Sequence, residues 1–171
     1  RLGGRGRTNA KMVLVFVYNR EKEYEKSLAI LEDLHFQYPR NTLLETSKAS
    51  VYERLESWGD AAETYETVLA KVVTGEDGYD RMDPEPLVFK IGEVNIRRSE
   101  LDSALEAFST LLDSDNVDVK GRAHLWVGKV YDAMQERDRA IEQYDVVLSL
   151  DCAKNLRDDA RGFKRRAYRG E

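Results

Sequence analysis

The residues able to do chemistry are few and scattered. His35 and His124 are the only histidines in the chain, and histidine is the side chain that most often moves protons near neutral pH. His35 sits at the end of one helical stripe and His124 at the start of another, so they are not expected to share a proton relay. Cys152 follows Asp151 with no histidine near it in sequence, and it reads as a small, partly buried apolar residue rather than a nucleophile. As the single cysteine it removes intramolecular disulfides and thiolate zinc sites, and it leaves the compartment undecided. Two acidic groups suggest calcium at first sight. Glu76, Asp77, Asp80 and Asp83 lack the alternating oxygen ligands and fixed glycine of an EF-hand loop. Asp113, Asp115, Asn116 and Asp118 begin like that pattern but place Val117 where a ligand is needed, so work at helix ends is the better account. No glycine-rich phosphate loop, GxSxG turn or zinc spacing is present. The expectation is a protein that is not an enzyme, with no catalytic residue, no metal ligand and no cofactor.

The elements that would position any site come from composition and periodicity. With 171 residues, 42% apolar and 35% charged residues and three prolines, the chain suits one compact α-rich domain. A net charge of -5 repels polyanions, so no nucleic acid partner is expected. The charge is segregated: Arg1, Arg5, Arg7 and Lys11 make the first residues basic, and seven cations against three acids make the stretch after Cys152 basic, leaving the middle strongly acidic. The longest apolar stretch, Met12 to Tyr18, falls far short of the roughly 18 residues of a membrane span. The chain starts at Arg1, so a signal or anchor upstream would be invisible and localisation is unknown.

Four segments repeat one helical pattern: Tyr24, Ser27, Leu28, Leu31 and Leu34; Trp58, Ala61, Ala62, Tyr65, Val68 and Leu69; Leu101, Ala104, Leu105, Phe108, Leu111 and Leu112; Arg137, Ala140, Ile141, Tyr144, Val147 and Leu148. Equivalent positions are 34, 43 and 36 residues apart. A second set upstream keeps the same offsets: Leu14, Val15 and Tyr18; Lys48, Ala49 and Tyr52; Ile91, Gly92 and Asn95; Val127, Gly128 and Tyr131. Two independent columns in one register imply four helix-turn-helix units. Small residues let backbones approach, while Tyr65, Phe108 and Tyr144 fill the spaces, and neighbours must stack because no unit buries both faces alone.

On these residues the chain resembles the tetratricopeptide repeat (TPR) family, with a small residue in the first helix and an alanine, aromatic, hydrophobic series in the second. It is also similar to uncharacterised bacterial repeat proteins. The departures are Ser27 for alanine, Lys48 and Asn95 at hydrophobic or aromatic places, and Arg137 for an aromatic. The resemblance implies an all-α, right-handed solenoid of four repeats, at about 9–40, 41–73, 85–116 and 119–151, with a C-terminal capping helix. Gly75, Gly78, Pro84 and Pro86 mark a surface-loop insertion at 74–84. Residues 1–8 read as a linker or the remnant of a preceding repeat. Residues 152–171 read as the cap, with Leu156, Ala160, Phe163 and Ala167 on one stripe.

The resemblance further implies that first helices line the concave side and hold a protein or peptide partner. The positions not needed for packing are Met12 and Phe16 in the first unit, Thr46, Ser50 and Glu53 in the second, Phe89, Glu93 and Arg97 in the third, and Arg122, Leu125, Lys129 and Asp132 in the fourth. Relatives that grip a C-terminal carboxylate place lysine and asparagine in the first two units; Met12, Phe16, Ser47 and Ser50 stand there instead, which argues against that clamp. Phe89, Arg97, Arg122 and Lys129 suit an aromatic or acidic segment. Two other readings stay open: a structural spacer or homo-oligomerisation domain of a larger protein, and an enzyme or ligand-binding module, which would need convergent polar groups.

Overall fold

The structure is a computed structural model that describes residues 4–170, with side chains from Thr8 onward. It is all-α. Among the described residues the helices are α1 (Gly4–Arg20), α2 (Tyr24–Gln37), α3 (Thr42–Arg54), α4 (Trp58–Val73), α5 (Glu85–Arg97), α6 (Leu101–Ser109), α7 (Val117–Ala133), α8 (Arg137–Ser149) and α9 (Lys154–Arg165), with no strand. None is long and apolar enough to cross a membrane. The chain divides into two compact units, Arg1–Leu87 and Val88–Glu171.

The repeat is visible residue by residue. Ser27, Ala61, Ala104 and Ala140 are all buried, as are Leu31, Tyr65, Phe108 and Tyr144 one turn further on, and Leu34, Val68, Leu111 and Val147 after them. Small residues at the first position let the facing helix approach, and large ones at the second fill the gap beside it. The turn joining each helix pair also repeats. Lys22, Glu56, Ser99 and Gln135 are the only non-glycine residues with positive φ among those described, at 61°, 57°, 62° and 65°, and their numbers keep the 34, 43 and 36 offsets. In each case the next residue's N–H reaches back five positions: Glu23 to the Tyr18 carbonyl, Ser57 to Tyr52, Glu100 to Asn95 and Glu136 to Tyr131. This is the left-handed helix stop usually given to glycine, here built four times from polar residues.

In the first unit, α1 pairs with α2 and α3 with α4 around Val15, Leu31, Leu34, Leu44 and Val51. Ser27 in the place of alanine is explained by its hydroxyl, which donates to the buried Val15 carbonyl at 3.1 Å. Of the stretch 1–8, read as a linker or the remnant of a preceding repeat, residues 1–3 lie outside the described ones, and the rest belongs to α1, which begins at Gly4. Thr8 and Lys11 anchor this end, the threonine hydroxyl bonding Tyr38 at 3.2 Å and the ammonium pairing with Asp33. The insertion at 74–84 is not wholly solvated either. Gly78, at φ +95°, faces the Arg40 carbonyl so closely that a Cβ would meet its oxygen at 3.1 Å, and Tyr79 enters the core with no exposed surface. Its acids are in structural use, Asp77 pairing with Arg40 and Asp83 Oδ1 accepting the Glu85 N–H at 3.0 Å.

In the second unit, α7 packs against α6 and α8, and α9 against both α7 and α8. Two glycines set the close contacts. A Cβ on Gly92 would stand 2.3 Å from the Phe108 ring, and one on Gly128 would stand 2.5 Å from that of Tyr144. Asn116 caps α7, its Oδ1 accepting from Asp118 N at 3.0 Å. The capping helix is shorter than its stripe suggests. It stops at Arg165, Arg166 turns extended (φ -139°, ψ 113°), and residues 166–170 form a strap. Contacts override the periodicity here: the Arg137 guanidinium donates to the Phe163 and Lys164 carbonyls at 2.8 and 2.7 Å, occupying the end of α9.

Candidate protein-binding face

The sequence-designated residues of α5 and α7 come together in the second unit, and they divide into a floor and a set of charges above it. Phe89 and Leu125 are buried and belong to the floor rather than to an open surface, a correction of their expected place. The reason is packing: the Phe108 ring lies 6.0 Å from Phe89 and stacks on Trp126 at 5.4 Å, 14° from parallel, so these side chains are covered by their neighbours. Arg122 lies over the Phe89 ring at 4.0 Å and approaches Glu93 at 3.5 Å.

Lys129 is the unusual charge. Its ammonium stands 3.8 Å from the Trp126 ring centre, 5.0 Å from that of Phe163 and 5.3 Å from that of Tyr168. Among the described residues no carboxylate forms an ion pair with it. Burial pulls its pKa below the ordinary lysine value, and Asp159 and Glu93 restore only part of the loss. Cation–π attraction stabilises such an ammonium without supplying a counter-charge.

Asp132, a candidate to face a partner, is corrected as well. Its side chain is 1% exposed and is the polar hub of this unit. Arg137 donates to both carboxylate oxygens at 2.7 and 3.0 Å, the Tyr144 hydroxyl donates at 2.8 Å, and the Tyr168 backbone N–H donates at 2.9 Å. Burial, then the bond to Asp132, pushes the Tyr144 phenol well above its ordinary range. Arg137, which departs from the aromatic of the repeat pattern, is the ion partner of a carboxylate five residues earlier and the dock for α9. Arg97 is exposed and reaches the Gly170 carbonyl at 3.4 Å.

Met12 and Phe16 lie on α1 in the first unit, Met12 half-buried against the core there and Phe16 67% exposed. His35 Nε2 is 3.7 Å from Glu45, and His124 Nδ1 is 2.8 Å from Gln143 Oε1. Cys152 is buried against Gly121 with its thiol pKa pushed up by burial, the opposite of an activated nucleophile. Sequence reasoning missed Trp126, Arg137 and Tyr168 as parts of this face. Only Arg137 carried a signal, as the residue out of place in its column.

No protein-family model matches the chain, and no curated protein matches it. Solved structures do. One titled "Crystal structure of MamA" is 19% identical over 86% of this chain and 88% of its own, with a TM-score of 0.58. Another, "Crystal structure of MamA protein", is 17% identical over 92% of this chain and 84% of its own, at 0.62. A third, TTC0263, a thermophilic TPR protein in Thermus thermophilus, aligns at only 0.41 with 17% identity over 91% of this chain and 97% of its own. At these identities the likeness is one of fold. Together with the four repeated turns and columns, the first two alignments show an all-α helical-repeat fold of the kind that tetratricopeptide proteins have.

Proposed function

We propose that the α5 and α7 face of the second unit is a non-catalytic docking surface for a segment of another protein. The observation that supports it is Arg122 over the Phe89 ring and Lys129 over that of Trp126, with Arg97 at the Gly170 carbonyl and Lys129 desolvated and without a carboxylate ion pair among the described residues. A partner carboxylate would meet that ammonium in a setting where charge-assisted bonds are strong, and a partner ring would stack on a floor that is already packed. The reading is tested by recovering co-purifying protein from the native source, identified by mass spectrometry, with the parent chain and with Arg97→Ala, Arg122→Ala and Lys129→Ala combined. Loss of one partner from the triple variant is expected; unchanged recovery overturns the reading.

A second reading, a spacer or homo-oligomerisation domain, draws on the first unit. Val13, Phe16, Phe36, Leu43 and Val73 are each at least 60% exposed, more large apolar side chain than a surface usually leaves in water. Sedimentation velocity decides it: a monomer at all concentrations removes self-association.

A further inference from the structure

The docking face already holds a peptide, the chain's own strap. Residues 166–170 leave the end of α9 through an extended Arg166 and return over α7, with Gly170 at φ 80°. The Tyr168 backbone N–H donates to Asp132 at 2.9 Å, its ring meets the edge of Phe163 at 5.7 Å and 87°, and Lys129 stands 5.3 Å from its centre. Two residues later the Gly170 carbonyl accepts from Arg97. A backbone donor, an aromatic ring in a seat and a carbonyl two positions on are the elements by which a groove reads an extended segment.

The strap fits this seat poorly in charge. Arg166 and Arg169, which flank Tyr168, line with Lys129 a cavity of about 440 Å³ whose other walls are Gly162, Phe163, Ala167 and Tyr168. Three cations therefore surround one opening, and among the described residues no carboxylate lines it. The strap is also lightly held: Arg166, Arg169 and Gly170 are exposed and only Ala167 and Tyr168 are half-buried, the profile of a segment that opens far below the cost of global unfolding. Tethering compensates, since a short link supplies an effective concentration in the millimolar range that a weak contact can exploit.

We infer that the strap is an internal competitor for the docking face, with Tyr168 holding the place of an aromatic residue of the partner, and that the partner segment carries acidic residues beside that aromatic where the strap carries arginines. This deepens the proposed docking role and rests on it. An acidic segment would satisfy the Lys129 side of the cavity, which the arginines of the strap cannot do.

The test uses the full chain and a labelled synthetic peptide, Glu-Glu-Ala-Tyr-Glu-Gly, followed by fluorescence anisotropy. Releasing the strap with Tyr168→Ala should tighten peptide binding about tenfold, as expected when the competent state rises from a tenth of the population or less. Tyr168→Phe keeps the ring and should bind like the parent, and helical circular dichroism confirms that both variants fold. A peptide with its tyrosine changed to alanine should lose binding to the released chain, and reversing its acids to arginine should weaken it. Equal binding to the parent and Tyr168→Ala chains overturns the competitor and leaves the docking face standing. Binding to neither, or binding indifferent to the peptide's tyrosine or acids, overturns the inference itself, while partner recovery with the triple variant judges the docking role separately.

Discussion

Among the described residues each unit holds one buried carboxylate, Glu45 in the first and Asp132 in the second, and the two differ in what they bind. In the first unit Glu45 receives the Tyr79 hydroxyl at 2.6 Å and the Lys71 ammonium at 2.8 Å. In the second Asp132 receives the Tyr144 hydroxyl, Nη1 of the Arg137 guanidinium on both oxygens, and a backbone N–H. Both therefore combine a tyrosine with a cation, which is how a low-dielectric interior tolerates a carboxylate. The outer partners differ. Glu45 fastens an insertion between helices, through Tyr79, whereas Asp132 fastens the end of the chain, through Arg137 under α9 and through the Tyr168 N–H. The shorter aspartate is the better enclosed, at 1% side-chain exposure against 11% for Glu45. A helical repeat leaves irregular segments without backbone partners of their own, and a buried acid supplies several acceptors at one point.

The largest effect is expected where the donors are most numerous. Asp132→Ala strands the Arg137 guanidinium and the Tyr144 hydroxyl and frees the strap, and breaking a buried pair this way costs about 3–5 kcal/mol. Urea denaturation should show it, with helix α9 losing amide protection first. Glu45→Ala should cost less, about 1–3 kcal/mol, because Lys71 is 25% exposed and can turn to water. Its signature is local: faster hydrogen exchange in residues 74–84. Equal losses at the two sites would mean that enclosure and donor number do not govern the difference.

How far the sequence discloses this arrangement depends on the range of the force involved. The columns Ser27, Ala61, Ala104, Ala140 and Leu31, Tyr65, Phe108, Tyr144 follow from side-chain size at helical spacing, so they are legible in the chain alone. The four left-handed turns are not, because Lys22, Glu56, Ser99 and Gln135 share no residue type; the helix pairing on either side imposes their conformation. Tyr79 reads as part of a solvated loop because its partner Glu45 is 34 residues away, and no local pattern reports such a bond. Phe89 and Leu125 occupy positions that a repeat leaves open, yet both are buried in the cluster that holds Phe108, with Trp126 packed against it. The strap itself hides behind Ala167, which continues the helical stripe of α9 while tertiary bonds to Arg137 and Asp132 end the helix two residues earlier.

The smallest predicted effect isolates the charge that neither carboxylate satisfies. In the folded chain the pKa of Lys129 lies below its ordinary 10.5, first of all through desolvation. At Lys129, between that lowered value and 10.5, the unfolded chain holds more of the proton than the folded one, so the contribution of this group to stability rises with pH across the window; below it both states are charged and the burial penalty is present in full. Lys129→Met cannot titrate. It loses the contacts to Trp126, Phe163 and Tyr168, worth about 0.5–2 kcal/mol in sum, and it also loses the burial penalty. At about pH 7 the net change is therefore expected to be under about 1 kcal/mol of either sign. The informative quantity is the drift: as pH approaches about 10, the parent gains on the variant. From about pH 10 upward the raised phenol pKa values of Tyr79, Tyr144 and Tyr168 lower the stability of parent and variant alike, because they keep protons on the folded chain that the unfolded chain has released. Thermal unfolding of the parent and the variant at matched ionic strength from about pH 7 to about 10 checks it, and a constant difference in Tm would show that Lys129 remains as well hydrated in the folded chain as in the unfolded one.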